Sequence, residues 1–204
     1  MQKYVVELVG TFLLVLAISL SANPIAIGLM LMALIYAGGH VSGGHFNPAV
    51  SVGAFMRGKL SVEDLAWYCG SQLLGAVLGL WVFGVITEAI FSPDSPVEIM
   101  QSLLPLGVEA LMSALFVLVV LTVAYHERYR TSAIQGVVIG LTLVAALSTA
   151  TFGILNPAVA GAAVIWNVLQ GGTFVGLAPV LVFVVGPLLG GVAAAVSYGY
   201  LNNK

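Results

Sequence analysis

The chain has 204 residues, of which 60% are hydrophobic and only 7% charged. A water-soluble domain carries about 25% charged residues, so this composition excludes a fully water-facing surface and points to membrane integration. The net charge of −2, without a basic patch or an acidic tail, gives nucleic acid nothing to bind, and the single cysteine, Cys69, excludes an intrachain disulfide or a cysteine-pair metal site.

Six long apolar segments follow one another, at residues 4–20, 24–40, 65–90, 106–125, 132–150 and 174–201. Runs of about 20 apolar residues match a hydrocarbon core of about 30 Å, so each predicts a spanning helix. The first has the basic start and apolar middle of a secretory signal, but five more spans follow it, and it reads as the first of six. Two shorter apolar pieces, 47–56 and 156–166, would each be about 15 Å long as helices, half a membrane. Such pieces suit re-entrant segments, whose irregular backbone must be shielded by protein or line a water-filled cavity.

The basic residues Lys3, Arg57, Lys59, Arg128, Arg130 and Lys204 all fall on one side of a six-span layout. The loops near 21–23, 91–105 and 148–173 carry none. The positive-inside rule then puts both termini in the cytoplasm, with the protein in the inner or plasma membrane. The halves also repeat. "VELVGTFLLVLAI" from Val6 is similar to "VEALMSALFVLVVLTVA" from Val108, and each half has a second span, an Asn-Pro-Ala-Val half-span and a third span. Three spans per half is odd, so the second half enters the membrane from the opposite face, as an inverted repeat. The expected division is 1–91 for the first repeat, 92–105 for a connector and 106–204 for the second.

Asparagine is a strong helix N-cap, and proline is favoured at the first helical position. Asn47 therefore caps a helix opening Pro48-Ala49, and Asn156 caps one opening Pro157-Ala158. One such cap is ordinary loop chemistry. Two in matched places of inverted halves would set two helix N-termini against each other near the midplane, each carrying about half a positive charge. Such a point repels cations. The asparagine amides would offer donors to the lumen, and Gly38, Gly39, Gly43 and Gly44 would let carbonyls face it.

At these residues the whole chain resembles the aquaporin (major intrinsic protein) family. The resemblance is carried by "ELVGTF" from Glu7, "GGHVSGGHFNPAV" from Gly38, "SQLLGA" from Ser71, the second "NPA", and "VGPLLGG" from Val185. It implies an all-α right-handed bundle of six spans and two half-helices, with one pore per subunit in a homotetramer. It also implies passive conduction of water or small uncharged solutes such as polyols, urea, ammonia or gases, with no cofactor, metal or catalytic residue. Gly43, Gly44, His45 and Phe152 are the loop residues expected along the pore.

The sequence departs from the family pattern at one place. The family usually has an arginine two positions after the second motif's proline, where this chain has Val159. Counting back from the motifs without gaps gives Ile27, Val144 and Gly153 as its partners in the outer ring. A ring of Ile27, Val144, Gly153 and Val159 has no charge and no side-chain donor. It predicts a wide, apolar filter, permissive to neutral solutes and weaker in ion exclusion. Ala160 stands where glycerol facilitators of the family commonly have aspartate, which counts against a specialised glycerol channel.

Glu7 and Glu109 occupy matched intramembrane positions, where a carboxyl group must be hydrogen-bonded; each is expected to brace its re-entrant loop. His45 is expected to brace the first loop or line the cytoplasmic half of the pore, and His126 to be solvated. Gln72, Gly75, Ala76, Gly186, Pro187, Gly190 and Gly191 read as helix-packing positions, and Trp67, Trp81 and Trp166 as interfacial anchors. Two other classes compete. A secondary transporter shares inverted repeats and broken helices but would need a coupling-ion site, and a structural membrane protein would conduct little. No nucleophile–base pair or phosphate-cradling loop supports an enzyme.

Overall fold

The computed structural model describes residues 1–87, 104–149, 153–174 and 176–202, and all regular structure among them is helical. Helix α1 spans Gln2–Ser21 and α2 Pro24–Ser42. Between them the chain reverses through Ala22 in the left-handed region, and the Asn23 side chain accepts the Ile25 N–H to start α2. The half-helix α3 (Pro48–Met56) and the span α4 (Val62–Thr87) follow. The second half comprises α5 (Leu104–Tyr125), α6 (Gln135–Thr149), the half-helix α7 (Pro157–Leu169) and α8 (Leu177–Asn202). Within α8 a π-helical turn occupies Leu181–Val185. Pro187 has no N–H for the Phe183 carbonyl, and the helix widens just before it.

Among the described residues, five helices are long and apolar enough to cross a membrane: α1, α2, α4, α5 and α8. The sixth expected span, α6, has only 15 helical residues among those described, about 22 Å at 1.5 Å per residue. Its predicted first turn is not helical, because Ser132 Oγ accepts the Ile134 N–H and Gln135 Nε2 donates to the Tyr129 carbonyl. These local bonds replace helical ones. Helix α2 runs two residues past its predicted end, to Ser42, and Gly38 and Gly39 lie within its last turns, where the Gly39 carbonyl accepts the Gly43 N–H, so they supply no ladder of free carbonyls to a pore. Helix α7 runs to Leu169, three residues beyond its predicted end.

The packing of the two halves corresponds. Helix α1 lies along α4 as α5 lies along α8, α2 pairs with α6, and each half-helix rests on the other half's long helix, α3 on α8 and α7 on α4. Small residues make the close approaches. A Cβ at Gly75 would overlap the Leu8 carbonyl, and one at Gly190 would come 2.5 Å from the Ala110 carbonyl. Backbone atoms cannot step aside, so Gly75→Ala must push α1 from α4. It should cost about 1–3 kcal/mol, as overpacking does. Gly70→Ala, on the same helix with nothing within 4 Å of the added carbon, should be neutral or slightly stabilising. Melting temperatures of the two variants in detergent check the contrast.

Of the three tryptophans, Trp67 and Trp81 are exposed as anchors would be, but Trp166 is buried against Val15, Ala76 and Leu80. It sits where α7 packs on α4, in a cluster that α1 also joins, so it is a core residue and not an interfacial anchor.

Candidate functional site: the paired half-helix starts

Each re-entrant loop makes its final turn on a non-glycine residue in the left-handed region, Phe46 at φ 48° and Leu155 at φ 54°. That conformation costs roughly 1–2 kcal/mol, so something must hold it. In each half a buried glutamate does. Glu7 Oε1 accepts the Ser42 hydroxyl at 2.6 Å and the His45 N–H at 3.0 Å; Oε2 accepts the Phe46 N–H at 2.6 Å and Gln72 Nε2 at 2.8 Å. Glu109 accepts the Ile154 and Leu155 N–H groups, both at 2.9 Å. The two carboxyl groups thus clamp the same two loop positions in each half.

Directly after each clamp comes the asparagine. Asn47 Oδ1 accepts the Ala49 N–H at 2.8 Å, and Asn156 Oδ1 accepts the Ala158 N–H at 3.0 Å. Each therefore starts its helix as a side-chain cap. Their amide nitrogens cross over. Asn47 Nδ2 donates to the Leu155 carbonyl at 2.8 Å, and Asn156 Nδ2 donates to the Phe46 carbonyl at 3.0 Å. The starts of α3 and α7 are thereby joined head to head. A side-chain amide has two N–H donors, so one on each asparagine remains for a solute.

Both asparagines border a cavity of about 90 Å³. A water needs about 10–15 Å³ measured this way, so several fit. Its polar side chains are Asn47, Asn156 and His45, and its walls are otherwise apolar. Ile27, Gly153 and Val159 line it together.

Val144 does not line it. Its side chain fills the space beside Gly28, in the seam between α2 and α6, while Leu143 and Leu147 of α6 face the cavity. The count back from Asn156 starts outside α6, from the non-helical residues Gly153–Asn156, and so does not carry the helix's register. Leu147 is the residue of α6 nearest in sequence to Gly153 that borders the cavity. Gly43 and Gly44 do not border it either; they form the left-handed turn that ends α2, at φ 89° and 63°. Phe152 lies outside the described residues.

His45 is buried, with Nδ1 3.1 Å from Ser51 Oγ and Nε2 3.2 Å from the Tyr125 hydroxyl. Gln72 does more than pack: its amide bridges Glu7 and Ser51. Leu14 and Phe116, which line the cavity from α1 and α5, were legible in one respect, since each lies two turns beyond its helix's glutamate and so on the same face. No group of His, Cys, Asp or Glu side chains able to hold a metal occurs among the described residues.

Comparison with known proteins agrees with this architecture. The chain is 28% identical to aquaporin AqpM of Methanothermobacter marburgensis, over 90% of this chain and 77% of that protein. It is 31% identical to glycerol uptake facilitator protein-like 6 of Lactiplantibacillus plantarum, over 78% and 81% of the two chains. Its fold matches the aquaglyceroporin of Plasmodium falciparum with a TM-score of 0.75 at 22% identity, covering 97% of this chain and 94% of that one. The family model described as "Major intrinsic protein" matches residues 1–198, and the chain therefore belongs to the major intrinsic protein, or aquaporin, family of integral membrane proteins.

Proposed function

We propose that the protein is a passive channel for water and small uncharged solutes, with its pore running past the paired amides of Asn47 and Asn156. The observation that carries this reading is the crosswise pair of asparagine bonds at the polar end of an otherwise apolar cavity. Two helix starts facing one point place two partial positive charges there. A cation reaching it meets that field after losing its water, whereas a neutral solute meets free amide donors.

The outer ring of this pore is Ile27, Leu147, Gly153 and Val159. Nothing in it replaces lost hydration, so it favours neutral solutes over ions by desolvation alone. Glycerol is among the expected solutes, in keeping with the names of the bacterial facilitator and the Plasmodium aquaglyceroporin. Residues 1–91 and 106–204 act as inverted halves joined by 92–105. Both termini face the cytoplasm of the inner or plasma membrane, and four copies assemble as a homotetramer.

Stopped-flow measurements on reconstituted liposomes test the proposal. The expected solute flux rises linearly with concentration and ignores ion gradients. Saturation, or dependence on a proton or sodium gradient, would mean a transporter.

A further inference from the structure

The two halves differ in size at one matched place on the pore wall. Leu14 and Phe116 stand at the same interval from Glu7 and Glu109, and both line the cavity. Thr11 and Ser113, one turn after the same two glutamates, also correspond, and both are fully buried. Helices α1 and α5 thus turn corresponding faces inward, and there a leucine on one faces the pore where a phenylalanine does on the other.

At the matched position α1 has a leucine and no ring. Phe46 also borders the cavity, but its ring lies beside Gly10 and Gly44, and its carbonyl is what meets Asn156. The outer ring of Ile27, Leu147, Gly153 and Val159 contains neither an aromatic nor a charged group. The cavity's other aromatic residues, His45 and Phe46, belong to the loop before α3, so Phe116 is the aromatic residue that a long helix brings to the cavity. Phe116 is 3% exposed, and the next residue, Val117, fills the space over Gly53 of α3. As part of the close-packed apolar core, the Phe116 side chain has little room to change rotamer.

We infer that Phe116 sets the size limit of the pore, a task the small outer ring leaves open. This rests on the channel reading. A solute passing the asparagine pair has the amides on one side and the bulk of Phe116 on another. Its cross-section is limited there and not at Val159. Leucine at this position would make the matched pair equal and the passage wider, while phenylalanine at Leu14 would narrow it.

The test compares water, glycerol and erythritol permeability in liposomes carrying equal amounts of wild type, Phe116→Leu or Leu14→Phe. Phe116→Leu should raise the glycerol-to-water and erythritol-to-glycerol ratios, by up to roughly tenfold, the lower end of what one methylene is worth in an apolar pocket. Leu14→Phe should lower both, and it gives an independent reading if Phe116→Leu assembles poorly. A fault in folding alone would lower all three fluxes together and leave the ratios unchanged. Unchanged ratios in both variants, with wild-type flux well above protein-free liposomes, would overturn this inference alone. Wild-type flux no higher than that of protein-free liposomes would overturn the channel reading, and this inference with it.

Discussion

Glu7→Ala should abolish recovery of folded protein, whereas Glu109→Ala should give folded protein that melts at a lower temperature. Glu7 accepts four hydrogen bonds from fully buried surroundings, two of them from backbone N–H groups and two from Ser42 and Gln72. Each donor stranded without water costs about 1–3 kcal/mol, so the alanine variant loses about 4 kcal/mol at the least. That is comparable with the whole stability of many proteins, which is about 5–15 kcal/mol. Glu109 accepts two bonds among the described residues, and its loss should be about half as large. In both variants the left-handed turn at Phe46 or Leu155 also loses what holds it. Size-exclusion profiles and thermal melts in detergent check the order. Equal losses in the two variants would show that the extra partners of Glu7 contribute nothing.

Val159→Arg should have the largest effect on selectivity. Val159 lines the cavity and is half-buried, so an arginine there can keep contact with water. It would add a permanent charge and five donors in a fixed fork, and it would fill space that valine leaves open. Water, small and able to accept from that fork, should lose little. Glycerol should lose more, and the glycerol-to-water ratio should fall roughly tenfold, the scale of discrimination by about one methylene's worth of space. Stopped-flow traces of both solutes in one preparation give that ratio. An unchanged ratio would remove Val159 from the filter.

The helices were largely legible in the sequence because their signals are local. Asn-Pro occurs at 23–24, 47–48 and 156–157, and each time the asparagine side chain caps a helix with proline in its first turn. The apolar runs located all the long helices to within a few residues. What local signals could not supply was register and partnership across loops. Val144 lies beside Gly28 and not on the cavity wall; a count from Asn156 begins on non-helical residues and cannot fix which face of α6 a residue takes. The crosswise bonds of Asn47 and Asn156 join residues from opposite halves, and no spacing rule predicts which carbonyl an amide will reach. Nearness to a helix end does not tell an anchor from a core residue: Trp166 is buried in a cluster with Val15, Ala76 and Leu80 of α1 and α4. The bridging role of Gln72 was hidden for the same reason: its partners, Glu7 and Ser51, come from two other helices.

A polar midpoint joined to an apolar, arginine-free outer ring should make a pore open to neutral solutes larger than water. The most direct measurement is glycerol permeability of wild-type protein in liposomes, taken beside water permeability in the same preparation. Both should rise well above protein-free liposomes, with a low activation energy for each. A protein that conducts water while leaving glycerol at the level of the bare membrane would contradict it.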